Sequence, residues 1–218
     1  MSAPTDRHAF LRSRRSIRRF QSTPVADEVL ARILETAAHA PSAHNLQPWR
    51  FVVIKKPAEI NEQSAISAKH RPLAGSADNR TKLANALTSS LRADMATAGA
   101  SEAETEKRIA TSLRRIAEAP VIILLCRDRT AVRADTPEEH VMSIQSVAAA
   151  GTYLLLAAHA EGLGANWICW PLYAQAETRQ ALDLPKTWEA QAMYFIGVAA
   201  EEPKGKVVKP VGEAIKIG

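Results

Sequence analysis

Ser42, Asn45 and Gln47 fall within six residues of one another, inside the stretch Pro41-Ser42-Ala43-His44-Asn45-Leu46-Gln47-Pro48-Trp49. A hydroxyl and two amides bring both donors and acceptors to one Pro-bounded loop, more polar equipment than a merely connecting loop requires. The chemistry on offer is recognition of the edge of a flat heteroaromatic molecule. A second group is Arg14-Arg15-Ser16-Ile17-Arg18-Arg19-Phe20, with four guanidiniums and a hydroxyl inside six residues. Arginine is suited to bidentate contact with phosphate. If this stretch is helical, Arg14 and Arg18 share one face and Arg15 and Arg19 the next. Like charges then repel within each pair, and a bound anion relieves the repulsion. Read one at a time, the same arginines are equally well explained as solvated surface.

Together, in this order and about twenty residues apart, the two segments resemble the amino-terminal signature of the FMN-dependent nitroreductase family. The likeness continues through Ala119-Pro120-Val121-Ile122-Ile123-Leu124, Glu161-Gly162-Leu163-Gly164-Ala165-Asn166-Trp167, Leu182-Asp183-Leu184-Pro185, Trp188-Glu189 and the run ending Ile196-Gly197. In detail it is most similar to the nitroreductase-like domain at the carboxyl end of bifunctional glutamate ligases of deazaflavin-coenzyme biosynthesis. The resemblance implies an α+β fold, with a mostly antiparallel central sheet surrounded by helices and a long helix at a homodimer interface. It implies FMN, with NADH or NADPH as electron donor and a small electron-poor acceptor. Arg14, Arg15 and Ser16 are expected at the phosphate, completed by Lys206 and Lys209 from the tail, and Arg18 beside the flavin pyrimidine. Pro41, Ser42 and Ala43 are expected to meet the flavin of the partner subunit, with Asn45 as a further flavin-binding residue hydrogen-bonding nearby. The backbone of Ile168, Cys169 and Trp170 is expected at the flavin nitrogen that accepts hydride. At that point the chain departs from its relatives, which carry an acidic residue and Gly or other small residues, so Trp170-Pro171 is expected to reshape the substrate side. No side chain is then needed as acid or base, since the cofactor carries the chemistry. Gln47 and Trp49 are open equally to bracing the loop and to touching the ligand, with Trp49 expected in the core, and His44 is expected either to reach a substrate or to satisfy the loop backbone.

Composition fits these expectations without requiring them. A chain of 218 residues with 46% hydrophobic and 23% charged residues can bury one core, and a single domain over 1–218 is expected. The first residues lack the apolar segment of a signal peptide, and no later stretch is expected to span a bilayer, so a cytoplasmic protein is expected. The net charge of +5 and six arginines between Arg7 and Arg19 raise the question of nucleic acid. Against it, no aromatic interleaves those arginines except the flanking Phe10 and Phe20. Cys126 and Cys169 lie in separate apolar runs and read as buried free thiols. Gly162-Leu163-Gly164 follows a helix and precedes a strand, the reverse of a dinucleotide fingerprint. No P-loop, HExxH or GxSxG motif occurs, and no metal site is expected.

The positioning elements follow from periodicity. Val29, Leu30, Ile33, Leu34 and Ala37 give 27–40 a helical stripe, ending before Pro41. Runs at 49–54, 121–126, 165–170 and 192–199 read as strands, and 58–118 as mostly helical with the possibility of a lid. Residues 138–161 read as one long helix with Gly162 as its stop. Its centre Ala148-Ala149-Ala150-Gly151 is small enough for close packing, at a subunit interface or within one subunit. The basic tail 205–218 is expected to be tied down on a partner. Two readings from other classes stand beside the reductase: a flavin carrier without turnover and a basic nucleic-acid module. A third, within the wider fold, is oxygen-dependent flavin destruction yielding a cobalamin ligand, which the loop sequence resembles less.

Overall fold

Four strands form one antiparallel sheet in the computed structural model, which describes residues 6–56, 78–203 and 205–216. In chain order the elements are α1 (Arg7–Ser13), α2 (Asp27–Ala38), β1 (Trp49–Lys55), α3 (Asn79–Thr97), α4 (Glu102–Glu118), β2 (Val121–Asp128), α5 (Pro137–Ala160), β3 (Gly164–Ile168), α6 (Gln175–Ala181) and β4 (Trp188–Gly197). The strand order is β1-β2-β4-β3, so β2 and β4 are central and β1 and β3 are the edges. Every residue of β2 is buried, because a strand covered on both faces has no polar side to show.

Strand alternation sorts the core into two layers. Ile122, Leu124, Met193 and Phe195 face α3 and α4 through Leu83, Leu87 and Ile116. Ile123, Leu125, Tyr194 and Ile196 face α2 and α5 through Leu30, Ile33, Val147, Ala150 and Leu154. A bulge shifts the register between Leu125 and Cys126, which pair with Ala192 and Ala190 and leave Gln191 unmatched. Ala190 and Ala192, two apart in sequence, therefore lie on opposite faces.

Local chemistry sets the helix ends. Ser101 and Glu104 form a reciprocal capping box on α4, and Thr136 accepts from the Glu139 amide at the start of α5, just ahead of Pro137. Within α5, a Cβ on Gly151 would come within 2.0 Å of the Tyr194 hydroxyl, so the small centre of this helix serves first its close approach to the sheet. Away from this contact, α5 leaves Val141, Ile144 and Tyr153 exposed.

Several expectations are corrected. The arginine stretch is not helical: α1 stops at Ser13, and Arg14 already has extended backbone (φ −55°, ψ 133°). β3 ends at Ile168, because Cys169 turns the chain and Pro171 opens a 3-10 turn over Trp170–Tyr173. Cys126 is buried as expected, but Cys169 is exposed. By length and composition α5 is apolar enough to cross a membrane, contrary to the expectation that no stretch would be, though its inner stripe is packed on the sheet. Residues 205–216 are exposed throughout, with one 3-10 turn at Val211–Ala214. The lid expectation falls partly on 58–77, outside the described residues, while 79–118 holds α3 and α4.

Candidate functional site

The arginine segment runs along the outer edge of β3. The Ile17 amide donates to the Ala165 carbonyl at 3.1 Å, and Ser16 bridges Ala165. A Cβ on Gly164 would come within 2.8 Å of Ile17, so only glycine lets the two backbones lie so close. Ile17 and Phe20 are buried and anchor the segment, which leaves Ser16 and Arg18 exposed. Glu201, which no local motif singles out, accepts the backbone amides of Arg18 (2.6 Å) and Arg19 (3.2 Å) and fixes the second half of the segment.

The four guanidiniums have different surroundings. Arg19 pairs with Glu118 at 2.7 Å, and Arg15 donates to the backbone carbonyls of Arg12 and Arg14. Arg14 buries one terminal nitrogen, Nη1, without an acceptor among the described residues. The neighbourhood is cation-rich. Burial lowers the His159 imidazole below its ordinary pKa and the charge of Arg14 adds to this. Burial likewise lowers Arg115, helped by Arg18 and Arg114. His159 is held in place by Ser13 Oγ at 2.8 Å and by stacking on Phe10 at 4.9 Å. An orphaned buried guanidinium nitrogen among repelling cations, beside an exposed serine hydroxyl, fits a phosphate group.

The opposite end of β3 carries Ile168, Cys169 and Trp170. The Trp167 indole donates to the Cys169 sulfur at 3.1 Å and leans on Tyr194 with ring centroids 5.2 Å apart. Tyr194 itself is fully buried, and its hydroxyl lacks a partner among the described residues and is pushed to a higher pKa by burial. β3 thus joins a phosphate-suited end to a backbone turn that follows the strand. Its five residues extend over ~15 Å, which suits an elongated ligand with a charged end and a flat end.

The third element stands elsewhere. Ser42 Oγ accepts the Gln47 amide at 3.1 Å, Gln47 donates to Asn45 Oδ1 at 3.0 Å, and the Ala43 amide donates to Ser146 Oγ on α5 at 3.0 Å. His44, Asn45 and Gln47 have φ of 52°, 54° and 48°; left-handed backbone at non-glycine residues costs roughly 1–3 kcal/mol each, so the loop is held in shape by its anchors. Of its two expected roles Gln47 takes the bracing one, and Trp49 is core as expected. Among the described residues the Ser42 hydroxyl and the Asn45 side-chain amide only accept, and Pro41 is exposed beside them. The loop leads into β1, whereas Arg14–Arg18 and Ile168–Trp170 lie along β3, at the opposite edge of the sheet. Three strand spacings amount to ~14 Å, so one chain does not bring its own loop to its own arginine segment. Lys206 and Lys209 sit in the exposed tail and make no hydrogen bond or ion pair among the described residues.

Comparison with known proteins bears on this geometry. The sequence profile described as "Nitroreductase family" matches residues 11–198. The 5,6-dimethylbenzimidazole synthase of Rhodospirillum rubrum is 30% identical over 220 aligned positions, covering 96% of the chain and 87% of that protein. An NADH dehydrogenase of Thermus thermophilus is 60% identical over 45 residues, a match confined to 21% of the chain and 22% of that protein. Among solved structures, a Desulfovibrio desulfuricans protein in complex with FMN superposes with a TM-score of 0.70 at 26% identity, covering 100% of the chain and 98% of that structure.

Proposed function

The chain belongs to the nitroreductase family, and from that premise we propose that it is an FMN-dependent oxidoreductase working as a homodimer in the cytoplasm, without nucleic-acid or membrane partners. FMN, when bound, supplies hydride transfer from NADH or NADPH to an electron-poor acceptor: a nitroaromatic, a quinone or a conjugated double bond such as that of a deazaflavin-coenzyme precursor. The residues bind and tune. Arg14 and Ser16 hold the phosphate, with Arg15 bracing the backbone beneath them and Lys206 and Lys209 closing over it. Arg18 sets a positive charge at the pyrimidine side, which favours the reduced, anionic form. Backbone amides at Ile168, Cys169 and Trp170 face the ring, and Trp170 trims the acceptor side. Pro41, Ser42, Ala43 and Asn45 reach the partner's flavin, and α5, which leaves Val141, Ile144 and Tyr153 exposed, is the contact that brings them there.

The observation that carries this reading is the buried, unpartnered Arg14 Nη1 on the strand edge whose far end presents the exposed Cys169 turn. The test is the visible spectrum of the purified protein, with the released chromophore identified and NADPH added without oxygen. Two flavin bands that the nicotinamide bleaches are expected. A colourless protein that takes up no added FMN overturns the site, and a bound flavin that nicotinamides cannot reduce replaces the reductase with a flavin carrier. The Rhodospirillum relative favours one further reading, oxygen-dependent breakdown of the reduced flavin. Admitting oxygen to the bleached protein separates the two: reoxidised FMN supports the reductase, and 5,6-dimethylbenzimidazole supports the synthase.

A further inference from the structure

Charged side chains crowd the end of the sheet where β2 runs into α5, and nearly all of them are matched. Arg50 pairs with Asp128 at 2.9 Å, and Arg127 and Arg129 share Glu189 at 2.6 and 3.3 Å. His140 pairs with Asp135 at 2.6 Å. Arg133 is the exception: among the described residues its guanidinium meets no carboxylate within ion-pair distance. Its Nη1 lies 3.2 Å from Nδ1 and 3.3 Å from Nε2 of His44. With both ring nitrogens within hydrogen-bond reach of Nη1, an N–H of that nitrogen is directed at the imidazole, which holds the guanidinium in place and leaves Nε and Nη2 without a hydrogen-bond partner among the described residues. Glu139 secures both partners from below. Its Oε2 accepts the Arg133 backbone amide at 3.2 Å and its Oε1 lies 3.6 Å from His44 Nε2.

The support is built from both sides. His44 is held outward by its left-handed backbone in the loop that Ser146 ties to α5. The connection carrying Arg133 is fixed where it leaves β2, by Thr130 on Asp128 and Arg129 on the Thr187 carbonyl, and where it enters α5, by the Thr136 cap. The result is an exposed cation, shelved on a ring, next to the residues assigned to the flavin.

We propose that Arg133, supported by His44, recognises an anionic group, carboxylate or phosphate, on the small molecule that docks over the flavin. The proposal rests on the reading above, which is what places the 41–49 loop at a flavin. An unpaired guanidinium offers two parallel donors to such a group, and a charge-assisted contact of this kind is worth about a factor of ten or more in affinity.

The test uses flavin-loaded dimer, with Arg133→Gln and Arg133→Lys beside the wild type. One arm compares 4-nitrobenzoate with 4-nitrobenzyl alcohol as acceptor. The other compares NADPH with NADH as donor, which differ by one phosphate. Arg133→Gln is expected to lower either the 4-nitrobenzoate to 4-nitrobenzyl alcohol ratio or the NADPH to NADH ratio of kcat/KM about ten-fold, mainly through KM, and Arg133→Lys to restore part of it. A fall in the first arm assigns the anion to the acceptor, and a fall in the second to the adenosine 2′-phosphate of NADPH. Ratios unchanged in both arms overturn the proposal, whether or not overall activity falls. His44→Ala, which removes the shelf and keeps the cation, is expected to lower the same ratio about three-fold. A wild type that holds no flavin overturns the parent reading along with this one, whereas a flavin-loaded enzyme indifferent to Arg133 overturns this one alone.

Discussion

Cys169 and Cys126 are chemically the same thiol in opposite surroundings. Burial pushes Cys126 up to about 12, so it carries almost no thiolate near neutrality, while Cys169 is exposed beside an indole donor. A thiol-exchange reagent at pH 8 is therefore expected to titrate one cysteine in the folded protein and both after denaturation, with added FMN slowing the first. Two fast thiols in the native state would sink this assignment. The contrast was only half legible in the sequence. Both residues sit in apolar runs, but the run through Cys169 is cut by Pro171, which turns the chain out of β3. The loop residues were legible by type, since Ser42, Asn45 and Gln47 do anchor and equip one compact turn. Arg133 and Glu201 were not, because each acts on a segment about ninety or more residues away.

At the scale of elements, the crossing of α5 over β4 is set by a glycine and a tyrosine. A methyl at Gly151 must displace the Tyr194 hydroxyl, and overpacking of this kind costs about 1–3 kcal/mol. Gly151→Ala is expected to lower the urea midpoint by that measure, and less so in a Tyr194→Phe background, where the nearest obstructing atom is gone. Equal costs in both backgrounds would show that the contact does not limit the approach. Helix and strand periods fixed most elements in advance, and the caps at Thr136 and Ser101 are local signals. The arginine segment misled because arginine is a good helix former, whereas the ladder edge of β3 and the buried Ile17 hold it extended. Strand order was not readable, since β1-β2-β4-β3 depends on pairings between distant segments.

For the whole molecule, the decisive feature is that the loop and the arginine segment occupy opposite edges of one sheet. On the proposed assembly each chain lends half of its equipment to its neighbour and borrows the other half. Two broken copies can then repair one another. A chain disabled at Arg14 and a chain disabled at Ser42 are each expected to be inactive alone, yet a mixed dimer has one site built wholly from intact halves and one built wholly from damaged ones. Refolding equal amounts together is expected to return roughly a quarter of wild-type turnover, since about half of random dimers are mixed and each mixed dimer has one working site. A site confined to one chain would return none. Mutations in the two segments of such a gene would therefore behave as separate complementation groups, although they lie in a single reading frame.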